Sequence, residues 1–342
     1  MADAARFDEY MDEALYGAAG FYTRGGQPGF RDGDFATSVE LGSLFGRCIA
    51  GYLDRAWHEL GQPDPFVVVE GGAGRGTLCV DVLTQVVECS DALHYVMVER
   101  VATQRKVAEA RIGARGVVHP VAAVPDLPSG PIVGVVIANE LLDNLPFRLL
   151  ERSHDDWQEV HVQRDEATAV EELYPAAADA VNMAAALAPE AAGGARIPLQ
   201  LRSAVWVRRA LRLLERGRVL VFDYGVPHTA ELAQRPQSEW LRTYQSQRRA
   251  YNPLHAPGTV DITCDVAFDQ LPPGATLATQ AEWLAAAGIE AMTADARALW
   301  EQSRSKPAAA ALAARTVLDE AAALTDPDGM GAFWAAEWQA AQ

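Results

Sequence analysis

Four cysteines are all that 342 residues contain, and Cys48, Cys79, Cys89 and Cys264 never stand two apart in the C-x-x-C spacing of a metal or redox site. A disulfide framework is also poor company for a chain this long, so the thiols are expected reduced and buried, in the cytoplasm. The histidines at 58, 94, 119, 154, 161, 228 and 255 form no H-x-x-x-H pair, which leaves metal chemistry unsupported. No apolar run approaches the roughly 20 residues that cross a bilayer, so no membrane partner is expected. Nor does Met1 to Leu15 read as an export signal: Asp3, Asp8, Glu9, Asp12 and Glu13 interrupt it. Positive charge is scarce as well. A formal net charge of -17 speaks against a nucleic-acid groove, which needs clustered Lys and Arg. No internal repeat is present, and the alanine runs read as helix.

What is abundant is core-forming sequence, with 49% hydrophobic residues. The chain is organised around Phe66-Val67-Val68-Val69-Glu70-Gly71-Gly72-Ala73-Gly74-Arg75-Gly76-Thr77-Leu78. An apolar, β-branched run ends in an acid and a glycine cluster, and Leu78, Val82, Leu83 and Val86 follow at helical spacing. That is buried strand, tight turn, helix: the opening of a nucleotide-binding α/β unit. A dinucleotide site would set G-x-G-x-x-G against a pyrophosphate. Here the glycines at 72, 74 and 76 follow Glu70, which would repel a pyrophosphate and suits the cationic end of S-adenosylmethionine. The next strand, His94 to Val98, ends in Glu99, whose carboxylate can accept both ribose hydroxyls. Together these features predict an S-adenosyl-L-methionine site.

Around that unit, Phe7, Met11, Leu15 and Tyr16 predict a first helix, and Leu41 to Leu60 a long one with Leu44, Phe45, Cys48, Ile49, Leu53 and Trp57 on one face, capped by Ser38 or Thr37. Val101 to Ile112 reads as helix and Gly116 to His119 as a short strand. Ile132 to Ala138 is the most hydrophobic run, a central parallel strand that delivers Asn139 and Glu140 to the ligand-binding edge of the sheet. Phe147 to Arg152 and Trp157 to Val162 read as a hairpin, 165 to 200 as an inserted helical lobe, and Ser203 to Glu215 as a helix ended by Gly217. Arg218 to Gly225 repeats the grammar of a buried strand ending in polar residues.

Six ordered motifs now point one way. They are Gly33-Asp34-Phe35-x-Thr37-Ser38-x-Glu40, Glu70-x-Gly72-x-Gly74-Arg75-Gly76-Thr77, Asn139-Glu140-Leu141-Leu142-Asp143-Asn144-Leu145-Pro146, Asp223-Tyr224-Gly225, Pro257-Gly258-Thr259-x-Asp261-Ile262-Thr263, and Leu324-Thr325-Asp326-Pro327-x-x-Met330-Gly331. In this order they resemble the MidA-like family of class I methyltransferases over nearly the whole chain. Departures stand at Val39 and Ala73, where the family usually has proline, at Leu141-Leu142, and in the aromatic tail Phe333 to Trp338. The resemblance implies an α/β fold: a class I Rossmann-like sheet, mostly parallel with the last strand antiparallel, an N-terminal helical cap and an inserted helical and hairpin lobe. It places the cap over the active site at 1–65, the cofactor-binding core at 66–152 and 216–342, and the substrate lobe at 153–215.

Chemistry is assigned on that basis. Cofactor binding falls to Glu70, Gly72, Gly74, Gly76, Thr77, Glu99, Asn139 and Thr37. Glu140 and Asp143, at i and i+3, would share a face if helical and grip a guanidinium by paired hydrogen bonds, with Asp34 in the loop over the cleft; helix capping and a local ion pair account for the acids equally well. His228 and His255 read first as solvated loop histidines, and only second as a base for an O-methyltransferase. The expected reaction is methyl transfer from S-adenosyl-L-methionine to a nitrogen of a protein, arginine first. A small-molecule acceptor is the alternative, a non-catalytic assembly factor the second, and the oligomeric state is open, a homodimer included.

Overall fold

The computed structural model describes residues 4–26, 37–154, 156–164, 169–245, 248–250, 252–303 and 308–340. It falls into two compact units. One comprises Met1–Phe35, Leu141–Arg209 and Gly225–Pro273; the other comprises Ala36–Glu140, Ala210–Tyr224 and Gly274–Gln342. The segment 1–65 is thus shared between them, its first helix in one and its long second helix in the other.

The second unit is built on seven strands: β1 (Phe66–Gly71), β2 (Leu93–Val98), β3 (Val121–Val124), β4 (Ile132–Asn139), β5 (Leu214–Asp223), β6 (Thr276–Thr279) and β7 (Trp334–Gln339). Their order is β6-β7-β5-β4-β1-β2-β3. β5, β4, β1, β2 and β3 run parallel, and β7 is antiparallel to both β5 and β6. This is the mostly parallel sheet with an antiparallel last strand that the sequence predicts. β4 lies between β1 and β5, and Val135 to Ala138 are fully buried, as its unbroken apolar run requires. The middle of the sheet needs bare backbone. A β-carbon on Gly134 would sit 1.8 Å from the Val67 carbonyl oxygen, and one on Gly217 would sit 1.8 Å from that of Gly134. Gly217 therefore does not end a helix, as the sequence reading had it; it lies inside β5, and the helix before it ends at Leu213.

The helix Leu44–Glu59 buries Leu44, Phe45, Cys48, Ile49 and Leu53 against Phe66 and Val68 of β1, Ile137 of β4 and Phe222 of β5. Phe45 meets Phe222 edge-on at 5.1 Å. Neither Thr37 nor Ser38 caps this helix. They open a separate 3₁₀ turn, Ser38–Glu40, and the Leu44 N–H donates instead to the Glu320 carboxylate at 2.5 Å. Gly116 to His119 is likewise not a strand: Gly116 turns the chain with φ +65°, Val118 is exposed, and pairing begins only past Pro120, at β3.

In the first unit, the helix Phe7–Tyr16 buries Phe7, Tyr10, Met11 and Leu15 against Phe147, Leu149, Val160, Trp240 and Ile262. The expected hairpin forms from strands Arg148–Arg152 and Trp157–Arg164. The stretch read as a helical lobe contains one helix, Ala178–Leu187, between two more strands of the same sheet, Ala169–Pro175 and Arg196–Leu199. Val170 and Tyr174 suit a strand, and the acids between them suit an outer one. Arg196 holds Glu151 at 2.7 Å and Glu171 at 2.6 Å. The arginine-rich stretch from Arg242 is a hairpin, Leu241–Gln245 with Arg248–Ala250, and Arg242 pairs with the buried Asp265. Among the described residues no helix is long and apolar enough to cross a membrane, and no cluster of ligating side chains could hold a metal.

Candidate active site

The carboxyl ends of β4, β1 and β2 lie side by side in the second unit. Ala138 pairs with Gly71, and Gly71 with Val98, so Asn139, Gly72 and Glu99 follow in neighbouring strands. With strands about 4.8 Å apart, Asn139 and Glu99 stand roughly 10 Å from each other across the glycine turn. A nucleoside joined to an amino acid has about that reach.

The turn itself is left-handed at all three glycines, with φ of +69° at Gly72, +51° at Gly74 and +72° at Gly76. They are not equivalent. Gly72 is exposed. Around Gly74 a β-carbon would find only the Gly72 carbonyl oxygen, 4.0 Å away, so open space faces the backbone there. Gly76 is different: its β-carbon would meet Ala108 Cβ and Met97 Sδ at 3.1 Å, so this glycine lets the helix Ala102–Ala114 approach β2.

Glu99 braces the turn. One of its carboxylate oxygens accepts the Gly74 N–H at 3.0 Å and the other accepts the Val101 N–H at 2.7 Å. Burial raises its pKa, and these two donors oppose the rise. Each oxygen keeps a second lone pair that a ribose hydroxyl can use. Glu70 lies deeper. Only 5% exposed, it accepts the Tyr95 hydroxyl at 2.9 Å, and burial pushes its pKa to about 8. Tyr95, which the sequence reading passed over, sits at an inward position of β2 and supports the acid from beneath the turn.

Thr77 is engaged by protein. Its hydroxyl donates to Glu40 at 2.8 Å and takes a bond from Arg111. This pins the Ser38–Glu40 turn to the start of the helix Thr77–Leu83. The same turn is held at its other end: the Ser38 N–H donates to Glu140 Oε1 at 2.9 Å, and its hydroxyl to Gln280 at 3.2 Å. Gln280, fully buried, in turn donates to the Leu324 carbonyl at 3.0 Å. No local signal marks Gln280 or the Ser38–Glu140 pair in the sequence, because Ser38 lies 102 positions from Glu140 and 242 from Gln280.

The helix that would have aligned Glu140 with Asp143 does not form. Glu140 takes φ +50°, and only Leu142–Asn144 makes a 3₁₀ turn. The two acids belong to different units. Glu140 turns to Ser38 and to Asn139, whose amide donates to it at 3.2 Å. Asp143 lies in the first unit, beside Asp261. There the Tyr22 hydroxyl lies 3.0 Å from both Asn144 Oδ1 and Asp261 Oδ1, sharing its one proton between them, and the Asn144 amide donates to Asp261 at 3.2 Å. Burial and the neighbouring charge of Asp143 push the Asp261 pKa to about 8. Asp34 lies outside the described residues.

A family model described as an S-adenosyl-L-methionine-dependent methyltransferase matches residues 48–288. The chain belongs to this methyltransferase family. It is MidA-like. A protein from Burkholderia thailandensis, crystallised bound to S-adenosyl-homocysteine, aligns with a TM-score of 0.83 at 27% identity, covering 98% of this chain and 88% of that one. The mitochondrial protein arginine methyltransferase NDUFAF7 homolog of Drosophila melanogaster is 29% identical over 296 residues, 76% of this chain and 64% of that protein. Its counterpart in Mus musculus is 28% identical over 291 residues, with 77% and 64% covered. The chain thus spans about two thirds of the length of these relatives, 64% in each case.

The residues present fit the cofactor of this methyltransferase. The open space at Gly74 is a cradle that any side chain would fill. Glu99 offers acceptors for hydroxyls. Among the described residues two buried oxygens, Thr37 Oγ1 and Asn139 Oδ1, have no hydrogen-bond partner. Free acceptors at these positions match a ligand with an ammonium and two ribose hydroxyls.

Proposed function

We propose that this methyltransferase passes the methyl group to a nitrogen of a protein acceptor, arginine above all. The observation that carries the reading is the similarity, over about three quarters of the chain, to proteins named as protein arginine methyltransferases. When bound, the cofactor supplies a sulfonium-activated methyl carbon. Gly72 and Gly74 give it backbone to lie against, Glu99 holds the ribose and Asn139 and Thr37 the amino-acid end. Fixing it by these contacts turns a bimolecular displacement into an oriented one. The cytoplasmic location stays a proposal of the same kind, supported by four buried free thiols.

The test is methyl transfer from isotope-labelled cofactor to two acceptor sets, arginine-containing peptides and neutral phenols or carboxylic acids, with the modified atom located by mass spectrometry. Label on a guanidinium nitrogen supports the reading. Label on the second set alone overturns it in favour of a small-molecule enzyme, and cofactor binding with transfer to neither set favours a non-catalytic factor.

A further inference from the structure

Glu140 closes the strand β4, where its backbone N–H is pinned to the Phe222 carbonyl at 2.8 Å and its φ of +50° aims the side chain back toward the turn. Its Oε1 collects two donors, the Ser38 N–H at 2.9 Å and the Asn139 amide nitrogen at 3.2 Å. The Asn139 side chain presents its NH2 to that oxygen, so its Oδ1 points the other way. That oxygen is buried and has no partner. The residue before Ser38 shows the same feature, since Thr37 Oγ1 is buried and without a partner. One carboxylate atom thereby holds both residues that carry or adjoin an orphaned oxygen, at the carboxyl end of β4, across the glycine turn from Glu99. Leaving buried polar atoms unsatisfied is costly, so a ligand that donates to the Asn139 oxygen and accepts from the Thr37 hydroxyl gains strongly.

We propose that Glu140 is a positioning residue: it turns the Asn139 amide and holds the Thr37–Ser38 backbone so that Asn139 Oδ1 and Thr37 Oγ1 receive the ammonium and carboxylate of the cofactor's amino-acid end. Glu140 acts through where its oxygen sits. It does not touch the methyl acceptor, and the assignment is independent of which atom is methylated.

The test compares two ligands by calorimetry on the whole chain: S-adenosylhomocysteine, and 5′-methylthioadenosine, which keeps the nucleoside and sulfur but lacks the amino-acid end. Glu140→Ala should bind S-adenosylhomocysteine roughly tenfold or more weakly, the loss expected for hydrogen bonds to a charged group, and methylthioadenosine as before. Glu140→Gln retains an oxygen at the same place and should bind both within about threefold of the unaltered chain. Three results overturn the proposal: undiminished S-adenosylhomocysteine affinity in Glu140→Ala, equal loss for both ligands, or a Gln variant as weak as the Ala variant, which would make the charge the essential feature. Should Glu140→Ala fail to fold, Asn139→Ala carries the same test, because it removes the orphaned acceptor directly. Full S-adenosylhomocysteine affinity in that variant is equally fatal.

Discussion

Two glycines two residues apart should fail in opposite ways. At Gly74 the backbone is left-handed, with φ +51°, yet a β-carbon would meet nothing nearer than the Gly72 oxygen at 4.0 Å. Gly74→Val therefore costs the fold only the strain of a β-branched residue in that region, about 1–3 kcal/mol. At ~2–4 °C per kcal/mol for a domain of this size, the melting temperature should fall by no more than roughly 12 °C. The proposed site puts the cofactor in the space the new methyls take. Affinity for S-adenosylhomocysteine should fall by at least about 100-fold, near 2.7 kcal/mol. Gly76→Val reverses the balance, because its β-carbon lands 3.1 Å from Ala108 Cβ and Met97 Sδ, in the packed contact between helix and sheet. That variant should melt well below Gly74→Val or fail to fold. Calorimetric binding with circular-dichroism melts reads both. Gly74→Val that binds within threefold of the unaltered chain would refute the reasoning, since the open space would then not be the ligand's.

Other consequences follow from single contacts. Glu99→Ala removes both the brace on the Gly74 N–H and the ribose acceptor, and should weaken S-adenosylmethionine and S-adenosylhomocysteine alike by roughly 1.5–3 kcal/mol; a variant that separates the two by calorimetry would place Glu99 near the sulfur instead. Gly217→Ala should abolish soluble expression or lower the melting temperature by well over 10 °C, by the cost of forcing a methyl group to within 1.8 Å of a carbonyl oxygen; normal melting would mean that β4 and β5 are not packed as described. The carboxyls of Glu70 and Asp261 hold their protons up to a pH of about 8, whereas in the unfolded chain they lose them near 4. Their contribution to stability is thus complete below about pH 4 and is lost as the pH rises to about 8, by at most ~1.4 kcal/mol per pH unit for each group. Asp261→Asn should flatten that decline in denaturant titrations between pH 4 and 8, and an unchanged slope would put the Asp261 proton elsewhere.

The sheet was legible because its strands are short apolar runs that end in polar residues at the binding edge, as in Val67 to Glu70 and Ile132 to Glu140. What escaped the sequence depends on residues far apart. Gly217 looks like a helix terminator until β4 is laid beside it and the Gly134 oxygen occupies the place of its side chain. Glu140 and Asp143 look like one face of a helix, but the left-handed backbone at Glu140 separates them. The alanine-rich stretch after Arg164 reads as helix by propensity, yet Ala169–Pro175 is drawn into a strand by the open edge of Trp157–Arg164. That the glycines, Glu99 and Asn139 stand together at the strand ends could be read from motif and pattern. The contacts that orient them, from Tyr95, Ser38 and Gln280, could not.

The most direct measurement is a crystal structure of the chain grown with S-adenosylhomocysteine. The account predicts ligand density against the backbone of Gly72 and Gly74, with the ribose hydroxyls within hydrogen-bond distance of the Glu99 carboxylate and the amino-acid end on Asn139 Oδ1 and Thr37 Oγ1. Ligand bound elsewhere, or lying over the turn with its ribose away from Glu99, would contradict it.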